Sequence, residues 1–324
     1  MINDFHWSVI GAGPAGLAAV GQLLDAGIQP QQVAWIDPTF RVGDFGTRWK
    51  HVVSNTPCSS FIKYYQAFGS FSFHARAKPF MIEKIASENV CPLLLAAEPL
   101  QWITHLLQNQ VFSFSDTAVT LKLAQTGWKI HLKSGKMLTT QKIILAIGAE
   151  PNVLPFPQLS TISLKDALDI NQLQTKISPE DVIAVFGAYL SARNVSENLA
   201  KTGVKSIIHF YRSERLFQQH VGSLDLKASV ESYLITSSNL LANIPRCNKA
   251  IYAVGFSRRD INIEGLPTDF LYDNQNGMIA SGIYGLGIAF PEVIPFTNGR
   301  LEYKVSAIYP MMKHLKKCFP LWLV

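Results

Sequence analysis

No two of the chain's four cysteines, Cys58, Cys91, Cys247 and Cys318, stand close together. There is no C-x-x-C, so neither a zinc ribbon nor a local redox dithiol is encoded. Sparse, unpaired cysteine in a chain of this length fits a reducing compartment, and the expected location is cytoplasmic. The eight histidines show no metal-ligand spacing, so no metal is expected. No apolar run reaches the roughly 18 residues of a membrane-spanning helix. The start, MINDFHWSVIG, carries an acid and enters a strand directly, which leaves no room for a signal peptide. Charge is not massed either. Lys and Arg number 29 against 23 Asp and Glu, a net +6, and the basic residues are scattered rather than interleaved with aromatics, unlike a nucleic-acid groove. A polyanionic cofactor accounts for part of the excess. Repeats and low-complexity tracts are absent.

What is present is 324 residues with an apolar share of 48%, enough for two domains with ample core. The stretch SVIGAGPAGLAAVGQLLDAGI (8–28) is the most informative. His6 to Ile10 reads as a buried strand, Gly11-Ala12-Gly13-Pro14-Ala15-Gly16 fits G-x-G-x-x-G, and Leu17 to Asp25 is rich in the helix formers Ala and Leu. Gly27 and Pro30 suit the helix stop. In this pattern Gly11 permits the tight turn, Gly13 lets a diphosphate approach the backbone, and Gly16 lets the helix pack on the strand. The helix start at Pro14-Ala15 then turns free N–H groups toward the negative charge. A second strand, Gln32 to Ile36, ends in Asp37, about 20 residues beyond Gly16, the interval expected of a carboxylate on a ribose hydroxyl. Together these elements predict an ADP-containing dinucleotide.

Residues 117–149 read as a β-meander with turns at Thr126-Gly127 and Ser134-Gly135. Its last strand is continuously apolar, as a strand buried on both faces should be, and ends at Ala146-Ile147-Gly148. After a proline-rich linker, PNVLPFP (151–157), the pattern recurs over 182–215: strand, Gly187, a helix from about Ser191 to Lys201, then a strand ending in Tyr211-Arg212-Ser213. No carboxylate stands at that strand end. Arg212 there suits a 2′-phosphate, which favours NADPH over NADH; the alternative is a solvated surface charge. The loop departs from its pattern, because Tyr189 occupies the second glycine position and Ala192 the third. Either the loop shifts to accommodate the ligand, or this domain binds NADP(H) weakly or not at all.

A glycine loop at the N-terminus, a meander and then A-x-G-x-x-P resemble the two-dinucleotide-domain flavoproteins, which include pyridine nucleotide-disulfide oxidoreductases, thioredoxin reductases and flavin-containing monooxygenases. The stretch VGDFGTRWKHVVSNTP (42–57) resembles the G-G-x-W…N segment of the monooxygenase branch. Closest is a group of small FAD/NAD(P)-binding proteins with V-G-D-F-G-T-x-W near the start and G-L-G-I-A-F-P-E near the end. The resemblance implies an α/β fold of two Rossmann-like three-layer domains: an FAD domain over 1–155 and 255–324, and an inserted, smaller NAD(P)H-binding-like domain over 156–254. It implies FAD on Gly11, Gly13, Pro14, Ala15, Gly16 and Asp37, with Trp49 and Asn55 lining the flavin and Gly148 marking the return strand. NADPH would meet Gly187, Ser191 and Arg212.

In the same family an aspartate of a terminal G-D motif bonds the flavin's ribityl or pyrophosphate oxygens. Here Gly287 is followed by Ile288, which leaves backbone N–H groups facing the cofactor, with Glu292 as a substitute or an exposed acid. The monooxygenase motif F-x-G-x-x-x-H has no histidine in the matching stretch, TISLKDALDI. Cys58 reads as a redox thiol or an inert buried one, and Lys50 and His51 as flavin-facing or solvated. The tail, YPMMKHLKKCFPLWLV, reads as a docked helix or a surface-seeking one. The expected activity is an FAD-dependent oxidoreductase that takes hydride from NADPH, more monooxygenase-like than disulfide reductase. The alternative is a flavin- or nucleotide-binding scaffold without turnover.

Overall fold

The computed structural model describes residues 4–204, 206–224, 229–295, 301–305 and 307–323. Met1 to Asn3, Lys205 and Val324, which belong to stretches quoted above, lie outside them. The chain divides into two compact units, residues 1–149 with 258–324, and residues 150–257.

In the first unit, strands Phe112–Phe114, Val33–Ile36, Asp4–Ile10 and Met137–Leu145 run parallel in that order. The short strand Ile283–Gly285 adds to Met137–Leu145, also in parallel. The meander Ala118–Ala124, Gly127–Leu132, Met137–Leu145 is antiparallel and turns at the glycines expected of it. Continuous apolar strands have this position because both faces of the sheet are covered. Val33 and Trp35 enter a core shared with the helices Pro14–Asp25 and Leu93–Gln108. Ala34 and Ile36, one residue out of phase, enter the core on the other side with Leu145 and Phe290.

The C-terminal helix Ile308–Leu323 docks into the first of these cores through Met311, Leu315, Phe319 and Trp322. Trp322 stacks on Tyr284 at 4.8 Å, and its Nε1–H donates to Asn276 O at 2.7 Å. Of the two readings of the tail, the docked helix is the one observed. No helix of the described residues is long and apolar enough to cross a membrane.

The second unit is a parallel five-stranded sheet in the order Ser229–Leu234, Ser206–Tyr211, Val182–Phe186, Lys249–Tyr252, Ser160–Ile162. The helix Leu190–Lys201 follows Val182–Phe186, the strand–loop–helix order that the repeat in the sequence predicts. The chain crosses between units at 149/150 and 257/258 rather than at 155/156 and 254/255. Leu154 and Phe156 of the proline-rich stretch pack against the second unit's core, so this segment belongs to that unit and is not a free linker.

Candidate functional site

The first glycine loop sits at the carboxyl end of the Asp4–Ile10 strand. Two of its glycines are demanded by the protein itself. Gly11 has φ +109°, and a Cβ there would lie 2.3 Å from Ala146 O; a Cβ on Gly16 would lie 1.9 Å from Gly11 O. The indole of Trp35 donates to the same Gly11 carbonyl at 2.9 Å. Gly13 differs. A Cβ there would meet nothing nearer than Val42 O at 4.0 Å. No packing inside the unit explains its bare backbone, so the space in front of it is left for something else. Gly13 caps the first helix without a side-chain acceptor, and Pro14 fills the first helical position. The first-turn amides therefore lack a side-chain partner at their cap.

Asp37, the carboxylate whose spacing suits a ribose hydroxyl, also braces the loop from within the protein. It is buried, Oδ2 accepts the N–H of Ala12 at 2.8 Å, and Oδ1 accepts those of Thr39 at 2.8 Å and Phe40 at 2.7 Å. Its carboxylate thus ties the glycine loop to the end of the second strand.

The 42–57 stretch wraps beside this loop. Val42 is buried and holds φ +59°, a left-handed conformation that a β-branched residue adopts only under constraint. A Cβ on the following Gly43 would stand 3.2 Å from Gly13 Cα, so the two backbones are in near contact. Asp44 pairs with Arg48 at 3.4 Å and with Arg259. Arg259 also donates to Ile147 O at 3.2 Å, while its own N–H donates to Gly148 O at 3.2 Å. The return strand and the short helix Gly43–Thr47 are thereby joined through one guanidinium, a link that no local pattern reveals. Trp49 is half-buried, and its N–H donates to Asp44 O at 3.0 Å. Asn55 is exposed, with its side chain bonded to Thr56.

Gly287 reaches the same place from the far end of the chain. Its Cβ position lies 2.7 Å from Ala15 Cβ, while Ile288 beside it is 44% exposed. The structure therefore brings together Gly11, Gly13, Pro14, Ala15, Gly16, Gly43, Gly148 and Gly287 at the carboxyl ends of the parallel strands, where α/β sheets bind ligands. Glu292, the next acid along the chain, is neither free nor simply exposed. Its carboxylate is held by Lys317 at 3.1 Å and by His314 at 3.4 Å.

Cys58 is buried and has a neighbour after all, the thiol of Cys91. Burial, then the adjacent Cys58 thiol, push Cys91 up to about 12, the signature of an unreactive thiol. Among the described residues no cluster of His, Cys, Asp and Glu is placed to hold a metal.

In the second unit, Gly187 opens the loop with φ +138°, its Cβ position 2.4 Å from Ala253 O and 3.2 Å from Ala192 Cβ. Ala192 at the third glycine position thus makes the close helix–strand contact. Tyr189 is the cap residue of the following helix and is 54% exposed. Ser191 is half-buried in the helix's first turn and Arg212 is exposed at the end of the adjacent strand. Beneath them His209 is fully buried, with Nε2 2.7 Å from Ser196 Oγ and Nδ1 unpaired within the described residues. Burial lowers its pKa to about 4.

The model of the pyridine nucleotide-disulphide oxidoreductase family matches residues 5–235, a span that takes in both glycine loops. The chain belongs to this family. Its class is that of the flavin-dependent NAD(P)H oxidoreductases. Among curated proteins it is similar to the monooxygenase AgnR1 of Paecilomyces divaricatus, 28% identical over 97% of both chains. In fold it is similar to the bacillithiol disulfide reductase Bdr (YpdA) from Staphylococcus aureus, with TM-score 0.64 at 13% identity over 99% of both chains. The flavin-containing monooxygenase from Stenotrophomonas maltophilia has the same fold, with TM-score 0.60 at 13% identity over 99% of both chains. The seat in front of Gly13 fits the diphosphate of FAD, since it is the one part of the first loop whose lack of side chain serves no internal packing.

Proposed function

We propose that the first unit holds FAD and the second takes NADPH, and that the protein is a monooxygenase-like oxidoreductase rather than a disulfide reductase. Open space at Gly13, beside loop glycines that are otherwise filled by the protein, carries the FAD assignment. Gly13, Ala15 and Gly16 would offer backbone to the diphosphate. Gly43, Gly148 and Gly287 border the same seat, with Trp49 and Asn55 on the loop that leads away from it. In the second unit Gly187, Ser191 and Arg212 are the residues for NADPH, with Arg212 suited to a 2′-phosphate.

When bound, the two groups supply hydride transfer from nicotinamide to flavin, and the chain's share is to bind and orient them. Asp37 fixes the loop through Ala12, and Arg259 fixes Asp44 against the return strand. Two observations favour a monooxygenase-like activity over disulfide reduction. The thiol pair Cys58 and Cys91 is buried, burial holds the Cys91 thiol well above its ordinary range, and the curated relative is a monooxygenase.

The protein purified with FAD should be yellow and should bleach when mixed anaerobically with NADPH. Admitting air should then restore the colour as O2 takes the electrons, and turnover should continue to consume NADPH without any added disulfide. Protein that stays colourless in excess FAD contradicts the assignment, and turnover that requires a disulfide acceptor contradicts the monooxygenase-like part of it.

A further inference from the structure

One side chain in the second glycine loop stands where the loop pattern has none. Tyr189 takes the place of the glycine that lets a diphosphate approach the backbone. Its backbone is extended, φ −121° and ψ −169°, so the chain geometry here accepts any residue. The ring meets that of His220 edge to face, 4.6 Å between centroids and 79° between planes. His220 is the last residue of the helix Glu214–His220, which begins just past Arg212. Strands Val182–Phe186 and Ser206–Tyr211 are parallel neighbours. The loop after the first and the helix after the second are the two walls between which a dinucleotide lies on such a sheet. Tyr189 comes from one wall and His220 from the other, so their contact bridges the groove. It is not a packing necessity of the core, because Tyr189 is 54% exposed.

We propose that Tyr189, latched on His220, is a gate that sets the affinity of the second unit for NADPH. With the latch closed the ring denies the diphosphate its approach to the helix start; binding requires the ring to swing out. This inference rests on the reading of the second unit as the NADPH unit. Apparent affinity is proportional to the fraction of molecules whose gate is open. An edge-to-face pair of this kind favours the closed form by a factor of roughly 3 to 10.

The test is calorimetric titration of the FAD-loaded full chain with NADP⁺, a binding readout independent of turnover. Tyr189→Gly and His220→Ala should each bind about 3- to 10-fold more tightly than the parent, and Tyr189→Phe, which keeps the ring pair, should match the parent. Thermal melts of each variant verify folding, and Tyr189→Ser replaces the glycine variant should that one fail to fold. Equal affinity in all four proteins overturns the gate and leaves the NADPH reading standing. Weaker binding by Tyr189→Gly overturns it also, because the ring would then be a contact for the nucleotide. Absence of binding in every variant overturns both gate and reading.

Discussion

Ala12 and Asp37 are bonded to each other across the mouth of the first unit: the N–H of one donates to the carboxylate of the other at 2.8 Å. The first glycine loop is thereby suspended from the neighbouring strand by the protein alone. Asp37→Asn should therefore lower the stability of the flavin-free protein, by about 2 kcal/mol, because a single amide oxygen cannot accept all the N–H groups the carboxylate holds. Urea unfolding of the apoprotein checks this. A carboxylate that served only a ribose would leave the apoprotein unchanged and weaken FAD binding alone.

Asp44 and Arg259 lie far apart in sequence and meet beside the return strand. Asp44→Asn and Arg259→Met should each weaken FAD retention. The double variant should lose less than the sum of the two, with a coupling of about 1 kcal/mol that shrinks in high salt. Additive losses would show that the pair does not act as a unit.

His209 fixes a pH dependence. Unfolded, the imidazole takes a proton near its ordinary 6.5; folded, burial holds it to about 4. The unfolded chain thus binds more protons between those values, and stability falls as pH drops through that window. Between pH 7 and pH 5 the loss from this residue should be roughly 2 kcal/mol. Urea midpoints at the two pH values check it, and His209→Phe should flatten the slope.

Trp322 closes the core from the C-terminal helix. Trp322→Ala should cost about 3 kcal/mol or more through the cavity it leaves, and the parent protein should not float with lipid vesicles. Vesicle binding by the parent protein would return the tail to its surface-seeking reading.

The parts of the fold legible in the sequence are those written in local periodicity. The first glycine loop, the meander turns at Gly127 and Gly135, and the repeat at Gly187 each rest on neighbours within a few dozen residues. The missing second glycine of that repeat is equally visible. Roles that depend on what a side chain meets after folding are not. Spacing finds the acid at position 37 but cannot show that it also accepts the backbone N–H groups of Ala12, Thr39 and Phe40. Cys58 looks solitary because Cys91 joins it only through tertiary packing, and Glu292 looks free because its partners, His314 and Lys317, lie on a helix that docks late in the chain. Nothing near Tyr189 in sequence announces His220, since a helix must first fold back to bring the two together.

If the bare backbone at Gly13 serves a diphosphate and not the protein, Gly13→Ala separates the two roles. Its added methyl group meets no atom nearer than 4.0 Å, so the apoprotein should unfold within about 1 kcal/mol of the parent, while FAD affinity falls by tenfold or more. Unchanged FAD affinity in a normally folded Gly13→Ala protein would show that no diphosphate rests on this backbone.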